Sequence, residues 1–249
     1  MKITTIALML AASYTLQAQV ISWNLDDYGT VNGPSVSYNG TAGVIPVSNW
    51  NNSWPNNPTT GLIDSTGAAT TLNLSYGSFN TYAIQQSHPG QDANGSYSKE
   101  MLNGYLNSGP AAWGPSITNS YVTLTSIPYS VYDVYIYFSS DTAGRAGNVT
   151  DGTATYDFST LGSAETSGAN ALFTQTTDTG GLNPGADYAV FSGETANSLT
   201  LIVNAMSGND QWLGIAGFQV VAAPEPGTVA LAVCGLSLFA MKLRHLRRR

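Results

Sequence analysis

The stretch 198-SLTLIVN-204 decides the fold class, because Leu199, Leu201 and Val203 occupy every second position and the residues between them form a second face. A period of two belongs to a half-buried β-strand, whereas an amphipathic helix repeats every three to four residues. The same alternation returns in 71-TLNLSY-76, with Leu72, Leu74 and Tyr76 on one face, and in 153-TATYDF-158, with Ala154, Tyr156 and Phe158. Further strands are expected at Val20–Asn24, Gly43–Val47, Tyr121–Ile127, Val131–Phe138, Ala171–Thr176, Tyr188–Phe191 and Ile215–Val221. Turn-forming pieces such as NGPS, TGG and SGND separate them. About ten strands in one stretch of this size predict an all-β fold, a single antiparallel β-sandwich.

One segment departs from that period. In 96-SYSKEMLNGYL-106, Tyr97, Met101 and Tyr105 stand four apart with Leu102 and Leu106 beside them, which predicts one short helix closing an end of the sandwich, capped by Asn94 or Ser96. The stretch 141-DTAGRAGNVTD-151 reads as a Gly-rich loop. Few charges and many Ser, Thr, Asn and Gly residues suit an extracellular β protein.

The two ends read as export signals. Lys2, the apolar run Ile3–Ala12 and SYTLQAQ give an n-region, an h-region and a small-residue cleavage site, so residues 1–18 are expected to be a secretory signal peptide. At the other end Pro224-Glu225-Pro226 precedes 14 mostly apolar residues, Thr228–Met241, and then Lys242, Arg244, Arg247, Arg248 and Arg249. Basic residues stay cytoplasmic, which places the body outside. A helix of that length rises roughly 21 Å against a hydrocarbon core of roughly 30 Å, so it holds only marginally. Cys234 within it reads as a small apolar residue.

This order of parts resembles the PEP-CTERM sorting signal of Gram-negative bacteria. The resemblance implies that residues 224–249 are processed by exosortase, a membrane-embedded enzyme associated with exopolysaccharide production. The chain would be held in the inner membrane only until then, and end at the cell surface or in the extracellular matrix. A marginal helix suits a transient anchor.

Residues 19–223 remain as the ectodomain, long enough for a full core. Its only lysine and arginine are Lys99 and Arg145 against fourteen acidic residues, a net charge of −12 where the whole chain has −7. Such a surface repels nucleic acid. No cysteine lies in this span, so no disulfide staples it. The segments GVIPVSNWNN, YDVYIYFSSD and LGIAGFQVV resemble those of jelly-roll or galactose-binding-like sandwiches, which implies glycan binding on a concave face or at loop ends.

The residue inventory narrows the chemistry. His88 is the only histidine of the body, and no GxSxG, CxxC, HExxH, EF-hand or phosphate-binding loop is present. Glycoside hydrolysis needs only two carboxylates and a polysaccharide lyase a single base, so a secreted carbohydrate-active enzyme is the alternative to a non-catalytic protein, with a purely structural matrix component the third reading. No cofactor is expected. Oxygen ligands in an exported body leave room for a structural calcium ion, though no ligand spacing specifies one.

Sugar rings stack their C–H faces on indole and phenol rings while amides bond their hydroxyls. The segment 48-SNWNNSWPNNP-58 supplies both, which makes Trp50, Asn51, Asn52 and Trp54 glycan-binding candidates. The competing reading makes Trp50 a core plug and the asparagines turn builders. Trp113 in AAWGPS is a further candidate, and Trp23 and Trp212 are expected in the core. Arg145 could clamp a uronate through its planar guanidinium, or brace its own loop against Asp141 or Asp151. The expectation is an exported, non-catalytic surface or matrix protein that associates with exopolysaccharide.

Overall fold

A computed structural model describes residues 19–25, 40–53, 60–85, 87–109, 117–206 and 212–223. The signal peptide, the sorting tail, Trp54 and Trp113 lie outside the described residues.

The chain order is β1 (Val20–Leu25), β2 (Asn51–Ser53), β3 (Asn73–Gly77), β4 (Asn80–Ala83), α1 (Ser98–Asn103), β5 (Gly104–Asn107), β6 (Asn119–Thr125), β7 (Tyr132–Ser139), β8 (Ala143–Thr150), β9 (Thr155–Leu161), α2 (Ala164–Ser167), β10 (Tyr188–Glu194), β11 (Ser198–Ala205) and β12 (Gly214–Ala222). Two sheets form. The larger has seven strands, ordered β10-β7-β12-β1-β2, with β5 also pairing β12 and β4 pairing β5. The smaller is ordered β3-β6-β11-β8-β9. The fold is all-β with two sheets, as the alternation predicts. It is not wholly antiparallel, because β2 runs parallel to β1, with Trp23 opposite Asn51.

The main core lies between the sheets, where their aromatic side chains meet. Phe138 of β7 stacks on Phe158 of β9 at 3.6 Å between ring centres, Trp23 of β1 lies 5.4 Å from Tyr76 of β3, and Phe191 of β10 lies 5.3 Å from Tyr156 of β9. The alternation of 198-SLTLIVN-204 holds as expected: Leu199, Leu201 and Val203 all enter this core. A second apolar cluster covers the outer face of the larger sheet, built from Trp50, Met101, Leu102, Tyr105, Tyr137, Tyr188 and Ala216. The larger sheet is therefore buried on both faces, and the smaller on one.

Four local expectations fail for identifiable reasons. Gly43–Val47 is a turn closed by the Ala42–Val47 bridge, because Gly43 takes φ 90° and Pro46 has no N–H for a ladder. Buried Gln219 holds that turn by accepting from Ile45 N (3.2 Å) and donating to the Ile45 carbonyl (2.8 Å). Ala171–Thr176 divides its backbone between carboxylates and the start of β10, Ala171 N donating to Asp92 Oδ1 (3.1 Å), Phe173 N to Asp187 Oδ2 (2.8 Å) and Thr176 N to the Tyr188 carbonyl (2.9 Å), so that it makes an isolated bridge and no strand. The predicted helix ends at Asn103, since Gly104 is already extended and starts β5. The Gly-rich loop contains β8, where Gly147 allows the close approach of the Asn204 carbonyl on β11.

Candidate functional site

The short β4–β5 ladder builds the floor of a cleft. Asn80 stands opposite Asn107 and Tyr82 opposite Tyr105. Residues two apart on a strand share a face, so both amides and both phenols point the same way. That face is the outer one of the larger sheet, because Tyr105 belongs to the outer cluster while its neighbour Leu106 enters the core between the sheets. The rings of Tyr82 and Tyr105 meet edge to face at 5.9 Å, and Tyr82 remains 41% exposed.

The walls come from two distant segments. Asp141 lies on the connection from β7 to β8, Arg145 near the start of β8, and Trp212 two residues before β12. With the four floor residues they enclose about 320 Å³. Arg145 ties the walls together. Its Nη1 donates to Asp141 Oδ1 (2.6 Å), the Trp212 carbonyl (2.6 Å) and Ser140 Oγ (3.0 Å), and Ser140 Oγ donates to the same Trp212 carbonyl (2.7 Å). Phe79 supports the indole of Trp212 edge-on at 6.1 Å. The guanidinium is buried and its charge is met inside the protein by Asp141.

Burial, and secondarily the nearby Asp141 carboxylate, push the Tyr105 phenol above its ordinary range. It is a neutral hydrogen-bonding group and no general base. Among the described lining residues Asp141 is the one carboxylate. The cleft therefore offers the rings of Tyr82 and Trp212 and the carboxamide of Asn80, over a floor closed by buried Tyr105 and Asn107, with its single ion pair closed on itself.

The sequence candidates fall differently from expectation. Trp50 is fully buried, its indole N–H donates to the Val47 carbonyl (3.1 Å), and its ring faces pack on the outer cluster. No sugar can reach it, so it is the core plug. Asn51 spends its amide on backbone: Nδ2 donates to the Ser22 and Ile63 carbonyls (2.8 Å each) and Oδ1 accepts from Ile63 N (2.9 Å). Asn52 lies next to it on β2, opposite Asn24. Arg145 does reach the site, but as a brace through Asp141 and not as a free uronate clamp. Trp212, expected in the core, is instead half-buried in the cleft wall.

The sequence reading offers none of Asn80, Tyr82, Tyr105, Asn107 and Trp212 as a ligand contact, and names Tyr105 and Trp212 only as structural residues. One signal was there: 80-NTY-82 and 105-YLN-107 mirror each other, which antiparallel pairing turns into matched Asn–Asn and Tyr–Tyr rungs. No group of three or more His, Cys, Asp or Glu side chains suited to a metal ion occurs among the described residues. No protein-family model matches the chain, and none of the curated proteins matches it.

Proposed function

We propose that this chain is an exported, non-catalytic surface or matrix protein that binds a neutral extracellular polysaccharide in the cleft beside Trp212. The observation that carries this reading is the accessible part of the cleft, where the exposed Asn80 carboxamide and the Tyr82 ring line it together with the half-buried Trp212, which is the chemistry that stacks a sugar ring and bonds its hydroxyls. The charge pattern supports a neutral ligand. Lys99 and Arg145 are the only lysine and arginine of the body, both are buried, and both are engaged, Lys99 with the Gly168 carbonyl (3.2 Å) and Arg145 with Asp141. An acidic polymer would meet no opposing charge on a −12 body.

The alternative, a glycoside hydrolase or lyase acting on the same material, is less well supported. Hydrolysis needs two carboxylates facing the scissile bond, and the described lining supplies Asp141 alone. A lyase needs a base, and Tyr105 is shifted the wrong way for one. The two-sheet architecture is compatible with the jelly-roll-like reading of the sequence. Pro224-Glu225-Pro226, the apolar segment and the arginine cluster fit processing by exosortase in a Gram-negative bacterium, after transient retention in the inner membrane.

A glycan array with the mature protein tests the cleft. Trp212→Ala and Tyr82→Ala are each expected to weaken binding of a neutral glycan by roughly tenfold. Binding that survives both changes refutes the cleft, and no binding to any glycan leaves a purely structural matrix component. Intact-mass measurement of protein from the host's surface tests the sorting reading. Molecules that retain the tail to Arg249 would make it a simple anchor.

A further inference from the structure

The solvent face of the smaller sheet carries an unusual pair. Gly77 of β3 stands opposite Tyr121 of β6, and a Cβ at Gly77 would come within 2.7–2.8 Å of the Tyr121 phenol. The ring therefore lies down across the neighbouring strand, in the space a side chain would fill. Aromatic rings cover cross-strand glycines in this way. The consequence is a phenol with one face against the sheet and the other turned to solvent, Tyr121 being 42% exposed.

Directly across from that ring on β11 stands the half-buried Ile202, and around this apolar pair run hydroxyls and amides in fixed rows. Thr123 and Thr200 bond through their hydroxyls at 3.0 Å, and Asn204 Nδ2 donates to Asn148 Oδ1 at 2.9 Å. Charge is missing. Protein surfaces open to water ordinarily intersperse charged side chains of both signs, yet the one charged side chain on the open-face strand positions, among the described residues, is Asp157 on edge strand β9. Its carboxylate accepts from Gly181 N (3.0 Å) at the rim. A body of net charge −12 that leaves one broad face uncharged presents that face to a neutral partner. The rows of Thr and Asn suit a partner rich in hydroxyls better than an apolar protein surface.

We propose that this face is a second polysaccharide-binding surface, for a flat uncharged glycan that stacks on Tyr121 and bonds the threonine and asparagine rows. It lies on the outer side of the smaller sheet, and the Trp212 cleft on the outer side of the larger one. A chain with both binds two glycan strands at once and cross-links them; the cross-linking rests on the glycan reading of the cleft, and the flat face does not.

The test uses the full chain in detergent, microcrystalline cellulose and curdlan as flat neutral probes, and alginate as the charged control. Tyr121→Ala, and separately Thr200→Lys, which leaves the ring in place, are each expected to lower retention on a neutral probe about tenfold with an unchanged melting temperature. Cross-linking is read separately: Trp212→Ala is expected to abolish precipitation of a soluble neutral glucan, as Tyr121→Ala also does. Wild-type retention by both face variants overturns the proposal, whatever Trp212→Ala does. Loss in the face variants with no effect of Trp212→Ala upholds the face and removes the cleft. A wild-type chain that prefers alginate or ignores both neutral probes overturns it. So does a change of oligomeric state in Thr200→Lys without a change in retention, which would mark the face as a contact between copies.

Discussion

Strands β11 and β12 follow each other closely in the chain and carry opposite burial. β12 buries seven consecutive residues from Gly214 to Val220, whereas β11 alternates buried and open positions from Ser198 to Ala205. The difference is what lies on the outside of each sheet. The turn at 42–47, Trp50 and α1 cover the larger sheet, so a polar residue there must find a partner within the protein. The smaller sheet keeps water as its partner, and its outer residues are free to be chosen for a ligand. One sheet is thus a scaffold with a cleft at its margin, the other a scaffold with an open surface.

The largest effect expected from this difference is at Trp50. It lies outside the core between the sheets, yet Trp50→Ala should cost about 3–5 kcal/mol, the range for truncating a fully buried aromatic. Chemical denaturation measures it. A cost below about 1 kcal/mol would show that the outer cluster is ornament and that the larger sheet, too, has an open side.

Next in size is a pH effect confined to the covered side. Ser139 Oγ lies 2.8 Å from the Leu102 carbonyl and 2.6 Å from Glu165 Oε2, and has one proton to give. If it serves the carbonyl, it must accept from Glu165, whose carboxyl is then protonated. Burial and nearby Asp187 push Glu165 in that direction, and burial pushes Asp187 itself up to about 7. A carboxyl raised in the folded state binds its proton more tightly there than in the unfolded chain. The stability it contributes is whole below the unfolded value near 4 and is lost as pH rises through about 7, on the order of 4 kcal/mol for Asp187. Melting temperature should therefore fall between pH 5 and 8, and Asp187→Asn should flatten the fall. A rise over that range would refute the buried-acid reading.

The same contrast governs what could be read from the residues alone. Strands open on one side announced themselves, as Leu72, Leu74, Phe158, Leu201 and Val203 all reach the core that their alternation predicts. Hidden elements belong to glycine and to covered faces. Gly144 and Gly147 made β8 look like a loop, and Tyr97, Met101 and Tyr105 carried a helical spacing across Gly104, where the chain turns into a strand. The cleft was less legible because four separate stretches meet in it, and only the mirrored NTY and YLN hinted that two belong together. Trp50 and Trp212 exchanged places between core and cleft for one reason: a tryptophan in a polar, Pro-broken segment can still be covered by its own turn, and one before a strand can still face a margin.

Gln219 sharpens the contrast between the outer faces. It sits on the covered face of β12 with no exposure, accepts from Tyr137 Oη (2.6 Å) and Ile45 N, and donates to the Ile45 carbonyl and Ser22 Oγ (3.3 Å). Gln219→Ala strands several of these groups away from water, at a cost of about 2 kcal/mol. An urea titration would show it. A variant as stable as the parent would mean that water reaches this face after all.

The smallest effect is the counterpart on the open sheet. Thr200 of β11 has a hydroxyl bond to Thr123 that is as short as several of those around Gln219, so a count of hydrogen bonds would rank the two residues together. Exposure says otherwise. When Thr200→Val removes the hydroxyl, Thr123 can turn to solvent, the β-branched shape favoured in a strand is kept, and the change should stay within about 0.5 kcal/mol. If the loss matched that of Gln219→Ala, the threonine row would have to be covered in the folded protein, and an unhindered glycan surface there would be excluded. If stability holds while retention on a flat neutral glucan drops, the hydroxyl row serves the ligand and not the fold.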